Sequence, residues 1–424
     1  MGSLQRHIVF FDEKEMNHLI LPATPAQRTG NYAAMSFQQH LALLSLFLKG
    51  DPDAAADRLR HGTVQPVDFA QFLNQHGLQL FVFSRLEGTP VRKLLPQQWL
   101  NELKRVSLRQ WTVQEALVRE LAQLSSLLAA AGHEFILLKG PYLAMRFFGG
   151  IDRRQFWDLD ILVRRERVVP IEVLLRSIGY TRKSTILINP ALTTRFTHAF
   201  DFVKSDVALD LHWLLSANAA HYLDYEAIWR QRQDFVLAKR NFAVLSDEYE
   251  IVFSLISIFK DLERGAARLK SFVDLYFILN QLSRRIDWEA FLAHRRREKT
   301  LRITVNILTF FFELFNCHHE FPEVAAALVR EHQHIKIVPA GYYQVLIDGS
   351  PGALKNKTWA AGIYECSRLH VFIWWLLSLP FRLAVHDSGW YTRFKDRLLR
   401  AKARLRAAAL GRGAKPAQER GSIR

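Results

Sequence analysis

Apolar residues recur at helical spacing through the first third of the chain. Residues 36–95 show this periodicity, and in residues 97–131 leucines return every three or four positions, which predicts one long amphipathic helix. Gly132 is a natural end for that helix because glycine readily adopts a left-handed conformation. Residues 1–35 lack such a pattern and are expected to form a loosely ordered lead-in.

The pattern changes from helical to extended after residue 132. A short, continuous apolar run is typical of a buried strand, and two later segments alternate between apolar and polar residues with period two. Residues 133–245 are therefore predicted to form a mixed α/β unit. Its predicted elements are strands at 135–138, 158–163 and 207–213 and helices at 141–148 and 166–178.

Helical periodicity returns after this unit and continues towards the end of the chain. Asp247 and Glu250 fit a capping box at the start of the first helix, and residues 340–360 are expected to form a loop. The predicted helices are 248–263, 268–283, 287–296, 300–316, an apolar helix at 362–380 and a basic helix at 390–409.

These patterns indicate an α+β protein that is mostly helical, with a small mixed β-sheet core between N- and C-terminal helical regions. The predicted divisions are a helical region at 1–96, an α/β core at 97–245, a helical domain at 246–340 and a tail at 341–424.

Composition and charge narrow the possible partners. The chain has 424 residues with 49% hydrophobic and 23% charged residues, which are globular proportions. Its formal charge is +16, which favours anionic partners. Because Arg382–Arg424 carries 12 Lys or Arg against 3 Asp or Glu, more than half of this surplus is terminal, and no specific nucleic-acid partner is predicted.

The basic tail and the cysteines bear on location. The tail is either a solvated helix or a surface for an anionic membrane, next to the apolar residues Trp374 and Trp375. Two cysteines exclude a disulfide scaffold, and no apolar run reaches the roughly 18 residues of a membrane span. The expected location is cytoplasmic, with the inner face of the membrane as a peripheral alternative.

Aspartates on two predicted strands carry the candidate chemistry. Residues i and i+2 of a strand share a face, so Asp158 lies beside Asp160, and Asp210 lies beside His212. Clustered carboxylates repel one another, and a divalent cation removes that penalty. Carboxylate oxygens suit Mg²⁺, or Mn²⁺, shared with substrate phosphates.

Several functions fit a pair of acids separated by one residue. Such a pair is often only a solvated strand face. It also binds metal in GT-A-type glycosyltransferases, although there a longer nucleotide-binding region usually precedes it. A scaffold or membrane-associated partner without catalysis is a third possibility. The chain lacks the phosphate-binding GxxxxGK[ST] loop and the dinucleotide-binding GxGxxG motif.

The combination of motifs resembles a known family. Over roughly residues 100–300 the chain is similar to the uncharacterised nucleotidyltransferase family of the polymerase-β-like superfamily. The motifs that carry this resemblance are Leu137-Leu-Lys-Gly140, Arg154, Asp158-Leu-Asp-Ile-Leu-Val163, Gly179-Tyr180, Leu209-Asp-Leu-His-Trp213, Arg268-Leu-Lys-Ser-Phe-Val-Asp274 and Ile286-Asp-Trp288.

The resemblance implies metal-dependent transfer of a nucleoside monophosphate from an NTP to a hydroxyl-bearing acceptor. The acceptor is a small molecule, a saccharide or a protein, and the sequence does not distinguish these. Carried over from the family, Asp158 and Asp160 would bind both metal ions. Asp210 would complete the second metal site and help to deprotonate the acceptor hydroxyl.

The same resemblance implies a phosphate-binding turn at Lys139 and Gly140. Pro141 has no N–H to donate, so phosphate binding is expected to depend more on Lys139 and on Arg154. Lys260 and Lys270 lie on later helices, from which they either reach phosphates or remain solvated.

Two further residues have open interpretations. His212 orients a ligand or binds the acceptor, or it packs at the strand edge near Trp213. Asp274 either contributes to the site or forms a structural i,i+4 pair with Lys270.

Overall fold

A computed structural model describes residues 30–62, 64–183, 185–186, 193–195, 197–216, 221–335, 339–348, 365, 376 and 385–386. Helices dominate the chain before the sheet, as the periodicity predicts. These helices are α1 (Gly30–Lys49), α2 (Pro52–Arg60), α3 (Pro66–His76), α4 (Gln79–Ser84), α5 (Pro90–Leu94) and α6 (Gln97–Ala130). Gly132 has a φ of +70° directly after α6, which confirms the predicted helix end.

A mixed, seven-stranded sheet forms the centre of the fold, in the order β3-β5-β6-β2-β1-β8-β7. Strand β2 runs parallel to β6 and antiparallel to β1, while β1 and β8 are parallel. The sheet strands are β1 (Ile136–Leu138), β2 (Asp158–Leu162), β3 (Thr181–Arg182), β5 (Ala199–Lys204), β6 (Val207–His212), β7 (Gln233–Leu237) and β8 (Arg240–Val244). A separate pair joins β4 (Thr185–Ile186) to β9 (Val385–His386).

The three strands predicted from the sequence are confirmed as β1, β2 and β6, each within a residue of the expected bounds. Helices α7 (Gly140–Phe148), α8 (Val168–Ser177) and α9 (Tyr225–Arg230) connect the strands. Strands β3, β5, β7 and β8 were not predicted. The predicted fold class, mostly helical α+β around a small mixed sheet, is confirmed.

The first four helices after the sheet follow the predicted order, and within the described residues two helices that were not predicted come after them. In chain order these helices are α10 (Asp247–Arg264), α11 (Leu269–Leu282), α12 (Trp288–Arg297), α13 (Leu301–Phe315), α14 (Pro322–His332) and α15 (Pro339–Asp348). The loop expected at 340–360 is wrong where α15 forms. Tyr342, Val345 and Leu346 of that helix are buried, so tertiary packing stabilises it.

The predicted capping box is also wrong. The N-cap of α10 is Ser246 rather than Asp247, and the Asp247 carboxylate instead accepts a hydrogen bond from Arg146. Glu250 is fully buried, and among the described residues its carboxylate has no hydrogen-bond partner. Burial raises its pKa to about 7.

One apolar core joins the helices to the sheet. It extends from Phe37 in α1 to Leu346 in α15 and includes the inward residues of the central strands. Within the described residues, no helix combines the length and the apolar character needed to cross a membrane. The domain divisions stay a prediction, and the expected helices at 362–380 and 390–409 lie outside the described residues, apart from 365 and 376.

A buried histidine connects the N-terminal helices to α11. The His76 ring lies 4.8 Å from the Phe72 ring, and its Nδ1 accepts a hydrogen bond from the Leu269 N–H at 3.4 Å. Burial lowers the pKa of His76 to about 4, and the positive charge of Arg268 contributes. The imidazole therefore stays neutral in the folded chain over most of the weakly acidic range.

Acidification is expected to weaken this connection. Between pH 6.5 and about 4, His76 binds a proton in the unfolded chain but not in the folded chain. The contribution of His76 to the free energy of unfolding is therefore greatest above pH 6.5 and decreases as the pH falls. The loss from this residue is at most about 3 kcal/mol. Urea unfolding at several pH values should show a shallower acid dependence for His76→Gln than for wild type. Exposed His61→Gln is the control, and parallel curves for wild type and His76→Gln would contradict the prediction.

Candidate active site

Two parallel strands place their acids side by side. In the register of β2 and β6, Asp160 lies opposite Asp210, and Leu162 lies opposite His212. The alternate side chains of both strands, such as Leu159 and Leu209, are fully buried. Because alternate residues share a face, Asp158, Asp160, Asp210 and His212 lie on one face of the sheet, as the alternation predicts.

Three of these side chains converge. Ligand atoms of Asp160, Asp210 and His212 all lie within 4.8 Å of one another, and this group can hold a metal ion. His212 Nε2 is 2.9 Å from Asp160 Oδ1. Asp158 is not a member of the group, and it lies two residues earlier on the same face of β2. The His212 nitrogen is therefore a further candidate metal ligand, which the pattern of aspartates did not identify.

Burial and repulsion make the acids of this site costly to ionise. Burial, followed by the charge of Asp160, raises the pKa of Asp158. Burial, together with the charges of Asp160, Asp201 and Asp158, raises the pKa of Asp210 to about 8. At neutral pH this carboxyl therefore retains its proton more readily than a solvated aspartate. A bound cation would reverse that preference.

Asp160 differs from its two neighbours. Burial alone would raise its pKa, but the hydrogen bond and charge of His212 and the charges of Lys139 and Lys260 outweigh burial and lower it. Asp160 is thus ionised at the centre of the group, next to Asp210 in the strand register. An ionised, buried carboxylate is a strong ligand for a divalent cation.

The turn between β1 and α7 approaches this group closely. Lys139 has a φ of +34° and Gly140 a φ of +50°, and a Cβ built on Gly140 would lie 3.3 Å from the Asp158 carbonyl oxygen. The Lys139 ammonium lies 4.6 Å from the centre of the Phe253 ring on α10. Helix α7 begins at Gly140 with Pro141 in its first turn, as predicted.

Two helical lysines lie close enough to affect the acids. Burial, followed by the charge of Arg154, lowers the pKa of Lys270 to about 8, while Asp274 and Asp158 oppose that shift. Burial and then the charge of Lys139 lower the pKa of Lys260. These cations lie beside an acidic group that can hold a metal ion. Their positive charges are therefore complementary to the negative charges of a metal-bound polyphosphate.

The structure pairs Arg154 with a carboxylate. Its Nε and Nη2 donate to the two oxygens of Asp274 at 2.6 and 2.8 Å, and its Nη1 donates to the Gly140 carbonyl at 3.2 Å. Both side chains of the ion pair are buried. The Arg154 carbonyl also accepts a hydrogen bond from Gln114 of α6 at 3.1 Å. The Arg154 guanidinium is therefore in direct contact with the turn that contains Lys139 and Gly140.

Two residues near the acids were not selected from the sequence. Asp201 of β5 is the register partner of Asp210, and it extends the row of acids across a third strand. Alternation in Ala199–Lys204 could have identified it as a strand acid. His198 has its ring centre 6.0 Å from that of His212, and burial lowers its pKa to about 3. No sequence pattern distinguishes this histidine from a core residue.

Comparison with known proteins identifies the family of the chain. The family model for uncharacterised nucleotidyltransferases matches residues 63–316, which is more than half of the chain. No curated protein matches the chain. A crystal structure of ANT(2″)-Ia in complex with adenylyl-2″-tobramycin is 16% identical, with coverage of 42% of this chain and 97% of that chain and a TM-score of 0.32. The family match confirms the resemblance of the sequence motifs, and the chain belongs to the uncharacterised nucleotidyltransferase family, a family of transferase enzymes.

Proposed function

We propose that the protein transfers a nucleoside monophosphate from an NTP to a hydroxyl group of an acceptor, with Mg²⁺ or Mn²⁺ bound by Asp158, Asp160 and Asp210. The observation that carries this proposal is the direct alignment of Asp160 with Asp210, with ligand atoms of both within 4.8 Å of His212. A metal ion needs such convergence, whereas a solvated strand face does not.

The donor chemistry fits a divalent cation. Carboxylate oxygens are the ligands that Mg²⁺ prefers, and the nearby His212 nitrogen suits Mn²⁺ better than Mg²⁺. The pKa values of Asp158 and Asp210 are raised first by burial and then by the charges of neighbouring carboxylates. Bound cations, two in number if the family mechanism holds, would neutralise these carboxylates and polarise the phosphoryl oxygens.

In the proposed reaction the acceptor oxygen attacks the α-phosphorus. The bond from that phosphorus to the oxygen bridging to the β-phosphate breaks, and pyrophosphate leaves. The hydroxyl proton passes to Asp210, which the bound cation would hold in its ionised form and so make available as a proton acceptor. His212 holds Asp160 in place through its Nε2 and orients the acceptor side of the site.

The basic residues beside the acids are proposed to bind the triphosphate. Lys139, Lys260 and Lys270 supply positive charge, and Gly140 allows the backbone to approach the phosphates. Arg154 contributes to triphosphate binding through the turn, because its guanidinium donates hydrogen bonds to the Gly140 carbonyl and to Asp274. Since Pro141 has no N–H, side chains supply much of the binding.

The acceptor is a small molecule, a saccharide or a protein in this proposal, and the site chemistry specifies only its hydroxyl group. We further propose that the chain acts in the cytoplasm, with 97–245 as the catalytic unit between helical regions. The interaction of the basic tail with an anionic membrane stays a prediction, since residues 387–424 lie outside the described part of the chain.

Nucleotide binding tests the proposal without an acceptor. We expect calorimetry to detect NTP binding with Mg²⁺ or Mn²⁺ and to lose it with EDTA. Lys270→Met should weaken that binding about tenfold or more, because one charged contact contributes roughly 1.5–3 kcal/mol. Exposed Lys104→Met of α6 is the matched control and should bind as wild type does. No metal-dependent binding by wild type would contradict the proposal and favour the scaffold alternative.

A further inference from the structure

A buried carboxylate on α11 joins two of the cations beside the acidic group. Asp274 accepts two hydrogen bonds from Arg154, at 2.6 and 2.8 Å, and its Oδ2 lies 3.9 Å from the Lys270 ammonium. Asp274 is one turn after Lys270 on the same helix, while Arg154 is 120 residues away in the segment before β2. The Asp274 side chain thus connects the helical region to the segment that leads into β2.

The connection continues to the phosphate turn. Arg154 donates its Nη1 hydrogen to the Gly140 carbonyl at 3.2 Å, so a chain of contacts leads from Asp274 through Arg154 to Gly140. Arg154 is 4% exposed and Asp274 is 7% exposed, so this chain is shielded from solvent. A bidentate pair in such a setting restricts both partners to one geometry.

Stability alone does not account for this ion pair. The desolvation of two buried charges offsets most of their attraction, and apolar residues of similar size often stabilise a fold as well or better. Geometric restriction is a different benefit, and here it acts on the turn and on a lysine beside Asp158. The helical region therefore contributes to the site by orienting its cations.

We infer that Asp274 is a positioning residue for nucleotide binding, which holds Lys270 and, through Arg154, the Gly140 turn where the triphosphate binds. This inference rests on the proposed function and adds to it a residue that touches neither the metal nor the nucleotide. It predicts a loss that depends on the β- and γ-phosphates rather than on the base or ribose.

A comparison of NTP with NMP binding separates positioning from a purely structural role. In Asp274→Asn, we expect the affinity for the tightest-binding NTP, with Mg²⁺ or Mn²⁺, to fall about ten- to a hundredfold, while the affinity for the matching NMP stays unchanged. Asp274→Glu retains the charge and should restore part of the lost NTP affinity. An unchanged NTP-to-NMP affinity ratio in folded Asp274→Asn would overturn the inference.

A second variant covers the case in which Asp274→Asn does not fold, since it leaves Arg154 buried without its partner. The double change Arg154→Met with Asp274→Leu removes both charges together and is expected to fold. It should show the same selective loss of NTP affinity, and wild-type selectivity in this folded variant would overturn the inference.

Glu172 provides a matched control for lost buried charge. Like Asp274, it is buried and joins two basic residues, Arg176 and Arg182, each at 2.8 Å, but it lies on α8. Glu172→Gln should lower thermal stability without a change in the NTP-to-NMP affinity ratio. A selective NTP loss in this control too would overturn the inference. If wild type binds no NTP, the proposed function fails and this inference fails with it, whereas NTP binding with unchanged variants overturns the inference alone.

Discussion

Asp160→Asn is expected to reduce nucleotidyl transfer by at least about a thousandfold. Asp160 is the central acid of the group: it aligns with Asp210 and pairs with His212 at 2.9 Å. An asparagine keeps the shape but removes the charge that would hold a divalent cation. Several kcal/mol of transition-state stabilisation depend on such an ion, and each 1.36 kcal/mol is a factor of ten in rate.

Two measurements test this expectation at different levels. Pyrophosphate release in the presence of an NTP, a metal and a competent acceptor reports the reaction. Titration of Mn²⁺ followed by electron paramagnetic resonance needs no acceptor and should show at least tenfold weaker binding in the variant. Asp206→Asn is the control, because Asp206 is an exposed acid between β5 and β6. Wild-type Mn²⁺ affinity in Asp160→Asn would contradict the assignment of the metal site.

Gly140→Ala is expected to damage both the fold and the function. Gly140 has a φ of +50°, a conformation that costs other residues about 1–2 kcal/mol. The added Cβ would also lie 3.3 Å from the Asp158 carbonyl, so the start of β2 must move by a few tenths of an ångström. Because Asp158 and the turn move relative to each other, NTP affinity or transfer should fall about ten- to a hundredfold.

Gly132→Ala separates the two effects of the added methyl group. Gly132 has a φ of +70°, but its Cβ would meet no atom within 4 Å. Both variants should therefore lose roughly 1–2 kcal/mol of unfolding free energy from the backbone conformation. Gly140→Ala alone should also lose NTP affinity in calorimetry. Equal NTP affinity in both variants would show that close packing of the turn on β2 is unnecessary for binding.

Local patterns predicted much of the architecture. Period-two alternation identified β2 and β6 and the face that carries their acids, and helical periodicity placed α6 and the helices after the sheet. Strands β3, β5, β7 and β8 were missed, and so were helices α9, α14 and α15. Val236 of β7 is largely exposed, so its apolar side chain disguises the alternation of an edge strand. Helix α15 forms where the local sequence favoured a loop, because it buries its apolar residues against distant helices.

Alternation along single strands also predicted part of the candidate site. Asp158, Asp160, Asp210 and His212 lie on one face, as a strand requires, and Lys139 and Gly140 form the turn beside them. Their roles in binding and catalysis stay predictions. Contacts between distant segments could not be read from spacing, and the clearest case is the bidentate pairing of Arg154 with Asp274 across 120 residues.

The sequence by itself determined which side chains share a face, because that follows from the geometry of one strand or one helix, and its motifs identified the family. Only the tertiary structure decided the parallel alignment of β2 with β6. This alignment places Asp160 next to Asp210 and brings His212 within hydrogen-bond distance of Asp160. It also decided which cations lie beside those acids. Strand register and helix docking depend on the packing of a whole apolar core, and no local stretch of residues contains that information.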